Sequence, residues 1–389
     1  RDAERALPPS ERLPRSVAIA AEAFFAQVPD RAAREGGRAD LEQGFFEGGL
    51  GAERYFALDT VLEALDLHAC RQALEAKLMS AQLSLTQIAR RARRARDALS
   101  QISSPTSTSV RWVERGERRV TLGASPVDVS SRFRDEVLHR GPALVLTSAT
   151  MTTGGSFDFV RRRLGIDFEV DEALLPSPFD YEAQAALYVP SLPDPRSPEY
   201  PDAALDEIVR LVTLTRGGAF VLCTSVRMMR RFAENARPRL RGRPIYVQGE
   251  APKGALLDRF RDDGDAVLFA TMSFWEGVDV RGDALRLVVI DKLPFDVPTD
   301  PLVEARCRTL EERGEKAFIR YLVPSAALTL KQGFGRLIRT RRDRGVVAVL
   351  DSRLLSKGYG QVFLRSLPPA RRCTTFEELQ AFCAQSPAT

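Results

Sequence analysis

A series of short, unbroken apolar runs limits the folds open to this chain. They are Ala143-Leu144-Val145-Leu146, Ala185-Ala186-Leu187-Tyr188-Val189, Ala219-Phe220-Val221-Leu222-Cys223, Ala266-Val267-Leu268-Phe269-Ala270, Leu287-Val288-Val289-Ile290 and Val346-Val347-Ala348-Val349-Leu350. A strand with one wet face alternates apolar and polar residues; these runs do not alternate, so each reads as a strand covered on both faces. Amphipathic stretches such as 205–214 and 226–240 separate them, long enough for the crossovers that parallel neighbours require. The expected fold class is α/β, a parallel sheet with flanking helices. The Pro-rich segment 190–201 reads as a surface connection.

Upstream the texture differs. Residues 1–104 are rich in Ala, Leu, Glu and Arg, and Val61, Leu65, Ala69, Leu74, Leu78 and Leu85 recur at helical spacing within 60–99. A low-propensity linker, 103–109, leads to Val110-Arg111-Trp112-Val113 and Arg119-Val120-Thr121-Leu122, which alternate as short strands do. No run approaches the roughly 18 uncharged apolar residues of a membrane span. The start, Arg-Asp-Ala-Glu-Arg, has neither a signal peptide's apolar core nor Met, so the chain reads as a soluble fragment. Its 389 residues can bury two or three cores. Cys70, Cys223, Cys307, Cys373 and Cys383 are scattered and never spaced as C-x-x-C, which signals neither disulfides nor a metal site and points to a reducing cytoplasm. His68 and His139 have no ligand-spaced neighbours and receive no role. A formal net charge of +5 suits a polyanionic partner without proving one. The cluster Arg90-Arg91-Ala92-Arg93-Arg94-Ala95-Arg96 reads either as a solvated helix face or as a stripe facing phosphates.

Chemistry gathers at the ends of the apolar runs, where open α/β sheets hold ligands. Leu146 runs into Thr147-Ser148-Ala149-Thr150, and Cys223 into Thr224-Ser225, small hydroxyls that serve equally as turn residues or phosphate donors. After Ala270 comes Thr271-Met272-Ser273-Phe274-Trp275-Glu276-Gly277-Val278-Asp279, whose two carboxylates are costly to desolvate without cationic partners. Phe274 and Trp275, beside a buried strand, read as core rather than as base-stacking surfaces. In Gln332-Gly333-Phe334-Gly335-Arg336-Leu337-Ile338-Arg339 the two arginines, placed on a helix, would point the same way, and their planar forks suit phosphate or carboxylate oxygens.

Taken in order, these segments resemble the later motifs of superfamily 2 helicases of the DinG/XPD type, closest to the bacterial DinG-like branch. Ser177-Pro178-Phe179-Asp180-Tyr181, Leu293-Pro294-Phe295 with Pro298, and Asp351-Ser352-Arg353 before Tyr359-Gly360 agree. The resemblance covers about residues 110–370. It implies an ATP-driven, Mg2+-dependent motor with two RecA-like domains, moving on single-stranded DNA with 5′-to-3′ polarity and opening forked duplexes. By family position, Ser148, Ala149 and Thr150 couple hydrolysis to DNA movement, while Thr224 and Ser225 touch the DNA backbone. Glu276, Gly277 and Asp279 link DNA to the nucleotide site; Gln332, Gly335, Arg336 and Arg339 face the γ-phosphate, with the arginines as finger candidates. The implied domains are a helical arch-like insertion (1–104), the last part of the first RecA-like domain (105–172) and a complete second one (173–389).

No G-x-x-x-x-G-K-[ST] occurs, and Gly-Lys appears nowhere in the chain. Asp171-Glu172-Ala173-Leu174 mimics an acidic Walker B box but lies after the Ser-Ala-Thr motif and without a buried strand before it, so it reads as a surface turn. The expectation is a C-terminal part whose nucleotide cradle lies upstream, along with any iron–sulfur cysteines; the strand ending at Leu146, deprived of its neighbours, would leave apolar surface exposed. A nucleic-acid-binding module that never hydrolyses ATP, and a nuclease–helicase fusion, stand as the alternatives.

Overall fold

The computed structural model describes residues 12–29, 37–104, 108–116, 119–141, 143–275 and 284–385. The chain divides into two compact units: Arg1–Asp128 with Val297–Thr309, and Val129–Asp296 with Leu310–Thr389. Residues 109–126 group with the helical unit and 129–172 with the unit that holds the large sheet.

In the first unit, helices Leu13–Phe25, Gly49–Glu75 and Met79–Ser103 accompany an antiparallel sheet of β1 (Arg38–Asp40), β2 (Ser109–Gly116) and β3 (Arg119–Pro126), in that order. The helical stretch around 60–99 is thus two helices, broken where Ala76 and Leu78 take extended backbone. They fold back antiparallel, burying Leu58, Leu62, Leu65 and Ala69 against Leu85, Ile88, Ala89 and Ala92. Leu74 and Leu78, expected inside, are exposed at the hairpin's end, beyond the reach of either helix's partner. The arginine cluster is split by helix faces: Arg93 grips the buried Asp66 at 3.0 and 3.1 Å and Arg96 grips Asp59 at 2.9 and 3.2 Å, while Arg90, Arg91 and Arg94 face outward. Two of the cluster's five arginines therefore stitch the hairpin.

The second unit is built on seven strands, all parallel: β4 (Ala185–Tyr188), β5 (Ala219–Cys223), β6 (Ile245–Val247), β7 (Val267–Thr271), β8 (Leu287–Ile290), β9 (Gly345–Val349) and β10 (Arg371–Cys373), in the order β10-β4-β9-β8-β5-β7-β6. The pleat sends alternate side chains to opposite faces. Phe220, Leu222, Val288, Ile290, Val347 and Val349 join one core with the helices Lys253–Asp263, Val323–Phe334 and Gly360–Ser366. Val221, Cys223, Leu287, Val289, Val346 and Ala348 join another with Tyr200–Leu214, Val226–Ala236 and Phe376–Ala384. Burial on both faces is why the runs are continuously apolar, and the α/β expectation holds.

One expected strand is absent from the described residues. Residues 143–148 carry no strand pairing, and Val145 is 82% exposed, with Leu144 and Leu146 also exposed. An apolar run becomes a strand only where a neighbour completes its ladder, and no strand of either sheet does so here. No helix among the described residues is long and apolar enough to cross a membrane.

Candidate functional site

Two groups of the residues singled out above are assembled within the sheet unit. The first surrounds the amino end of β9. Helix Val323–Phe334 stops at Phe334, and Arg336 and Arg339 lie on the turn and loop that follow, not on the helix as their spacing suggested. Gly333 O accepts Arg336 N–H at 3.1 Å and Phe334 O accepts Leu337 N–H at 3.2 Å, a tightened turn that drives Leu337 and Ile338 into the core. Both arginines are half-buried, and Gln332 is exposed on the last helical turn just before Gly335 closes it.

This arginine loop is locked from below. The Asp343 carboxylate accepts Arg339 N–H and Thr340 N–H, both at 2.7 Å, and the Thr340 hydroxyl at 2.7 Å. Buried Gln184, which immediately precedes β4, donates Nε2–H to Thr340 O at 3.0 Å and Asp343 O at 2.8 Å. Tyr181, one turn earlier in the Ser177–Tyr181 motif, packs edge-on against Phe334 at 6.1 Å. Burial raises its phenol above the ordinary value, while Ser177 and the Arg339 charge beside it pull it back.

The Ser-Ala-Thr segment reaches the same region. Ser148 Oγ and Thr150 Oγ1 lie 3.2 Å apart, and Thr150 N–H donates to Ser148 Oγ at 3.1 Å, a hydroxyl-capped turn. Ser148 and Ala149 are exposed. Two residues on, Thr152 is buried and its Oγ1 accepts Lys331 Nζ at 3.3 Å. Burial lowers the Lys331 ammonium below the usual lysine range.

The second group sits at the opposite, carboxyl edge of the sheet. Fully buried Asp291, just past β8, accepts Thr224 N–H at 2.8 Å, Thr224 Oγ1–H at 3.3 Å and Lys292 N–H at 2.7 Å; the Tyr200 hydroxyl donates to its carbonyl oxygen. Desolvation outweighs these donors and pushes the Asp291 carboxyl up to about 7. Ser225 Oγ accepts Met228 N–H at 3.2 Å, capping helix Val226–Ala236. Asp351, past β9, is buried against Arg353 at 2.6 and 2.8 Å and accepts Leu293 N–H at 2.9 Å. Phe274 is buried in the sheet's core, as its position suggested. Glu276, Gly277 and Asp279, and the Trp275 side chain, lie outside the described residues. Asp171 and Glu172 stand in irregular exposed backbone after helix Asp158–Leu164, with Glu172 paired to Arg161 at 3.0 Å.

Lys331, Thr152, Gln184, Asp343 and Asp291 carry these arrangements, yet motif reading passes over them. Only Asp291 left a trace, an acid placed directly after an apolar run.

Residues 208–370 match the helicase C-terminal domain family. Over 274 residues the chain is 43% identical to the ATP-dependent DNA helicase YoaA of Escherichia coli strain K12, a match covering 70% of this chain and 43% of that protein. Over 285 residues it is 39% identical to the ATP-dependent helicase DinG of Mycobacterium tuberculosis strain H37Rv, covering 71% and 43%. It therefore spans less than half the length of these relatives. A solved XPD helicase superposes with a TM-score of 0.61 at 14% identity, covering 93% of this chain and 62% of that one, which is a likeness of fold. With the parallel sheet, the motif order and these relatives in agreement, the chain carries a helicase C-terminal domain of the DinG type.

Proposed function

We propose that this chain supplies the second motor domain and the coupling loop of an ATP-dependent DNA helicase that moves 5′ to 3′ on single-stranded DNA, opens forked duplexes and works in the cytoplasm. The observation that carries the reading is the arginine loop locked by Asp343, with Lys331 joining its helix to the segment that follows Ser148–Thr150.

The donor set suits the anionic end of a triphosphate. Arg336 and Arg339 offer planar forks, and Gln332 adds an exposed amide on the adjoining helical turn. The chain holds no G-x-x-x-x-G-K-[ST], so Mg2+ and the inner phosphates are assigned to the rest of the helicase. Bound ATP supplies the phosphoanhydride whose hydrolysis drives movement. Arg336 and Arg339 stabilise the charge that develops on the terminal phosphate, and the Asp343 and Gln184 bonds keep the arginine loop from being reorganised at that moment. Glu276, Gly277 and Asp279 link this site to DNA. Thr224 and Ser225 contact the DNA backbone, Thr224 from a backbone held by Asp291.

The test is Arg339→Ala in the full-length gene product. DNA-stimulated ATPase falls by about 10³-fold, the value of a phosphate-facing arginine, while affinity for single-stranded DNA is little changed. Undiminished turnover refutes the finger assignment. A wild-type protein that binds DNA and hydrolyses no ATP selects the binding-module alternative.

A further inference from the structure

The segment leaving the Ser-Ala-Thr loop is fastened to the sheet unit by two side chains from different helices. Lys331 Nζ donates to Thr152 Oγ1 at 3.3 Å; Ser366 Oγ accepts Gly154 N–H at 2.7 Å and donates to Val362 O at 2.6 Å. Thr152 and Ser366 are each only 4% exposed. Around them, Thr153 and Ser156 exchange backbone bonds of 3.0 and 3.1 Å across a two-residue turn. Its central residues, Gly154 and Gly155, take φ of +60° and +88°. Positive φ at both positions is the type I′ geometry, which glycine adopts at no steric cost, and the paired Thr153–Ser156 bonds close the segment into a clip.

Lys331 is the unusual member. A half-buried ammonium is costly without a counter-charge, and among the described residues its partner is a neutral hydroxyl. Any smaller polar residue could fill a purely structural place at lower desolvation cost. What lysine adds is reach, from a helix that ends three residues later in the arginine turn. Thr150 lies two residues before Thr152, so the coupling loop stands no more than about 7 Å of chain from the fastening. The Lys331–Thr152 bond thus gives a displacement of the arginine turn a direct route to the segment that follows Ser148–Thr150.

We propose that Lys331 and Ser366 are positioning residues that clamp the Thr152–Gly154 clip to the sheet unit, holding the Ser148–Thr150 loop at a set reach from Arg336 and Arg339. The clamp itself stands on geometry alone; its use in coupling rests on the motor reading above.

The experiment uses the full-length gene product and two readouts. Amide hydrogen exchange is followed at 150–156 and in β8 for Lys331→Met, which keeps the stem without the donors, for Thr152→Val, which removes the acceptor, and for Ser366→Ala. Exchange at 150–156 rises at least about tenfold in each variant while β8 stays protected. Unchanged protection at 150–156 overturns the clamp, and so does a rise spread equally over β8, which marks mere support of the fold. The second readout is ATP consumed per base pair opened. It rises several-fold in Lys331→Met with little change in KM for ATP, and Lys331→Arg restores it. Coupling identical to wild type in Lys331→Met overturns the positioning role. Loosened exchange in the variants of a wild-type protein lacking DNA-stimulated ATPase leaves the clamp standing and removes the motor reading instead.

Discussion

Asp291 holds Thr224 by both its backbone and its hydroxyl from a site without solvent. Its carboxyl is pushed up to about 7, above the roughly 3.9 of an unfolded aspartate. A group that binds its proton more tightly when folded contributes fully below the unfolded value and loses that contribution as pH rises through the folded one. Stability from this residue therefore declines between about pH 4 and pH 7. Asp291→Asn, neutral throughout, flattens that decline; equal losses in urea midpoint for wild type and variant between pH 5 and pH 8 would contradict it. At this scale the motif arginines and hydroxyls were legible because each is chemically conspicuous beside a strand end. Gln184 and Asp343 were not, since an amide and a carboxylate acquire meaning only when the fold brings residues 184 and 340–343 together.

Helix Val226–Ala236 gives Ser225 a structural task, because its hydroxyl satisfies Met228 N–H. Ser225→Ala lowers stability by about 1 kcal/mol and Ser225→Gly by only a few tenths, as caps behave. Both remove the hydroxyl, so an affinity loss shared by both, alongside unequal stability, adds the proposed DNA contact to the cap; it is read by denaturation and DNA titration together. Among elements, β4, β5, β7, β8 and β9 were readable because burial on two faces leaves continuous apolar runs. The edge strand β6 has three residues, and β10 has three of which two are exposed arginines, too short and polar to announce themselves. Residues 143–146 read as a strand but are not paired, since local composition reports affinity for a ladder and not the presence of a neighbour. The arginines read as helical because Gly333 and Gly335 do not themselves mark where the helix stops; the demand of Leu337 and Ile338 for the core does.

For the whole molecule, a modest +5 spread over 57 basic and 52 acidic residues does not make a polyanion trap, so the proposed DNA binding rests on a few placed contacts. About four phosphate contacts on a single strand give a log–log salt slope near −3, roughly a 50-fold loss of affinity between 50 and 200 mM salt, with little dependence on base sequence. A slope near zero in a fluorescence titration would contradict this. Strand order carries a last consequence. β4, the first strand of the large sheet to be made, lies between β9 and β10, the last two. During synthesis its backbone must wait for residues 345–373 to leave the ribosome, so the sheet closes only after its last two strands are made. Stop codons that remove even the final strand strip one whole edge of β4, and the nascent chain meets chaperones with that edge open.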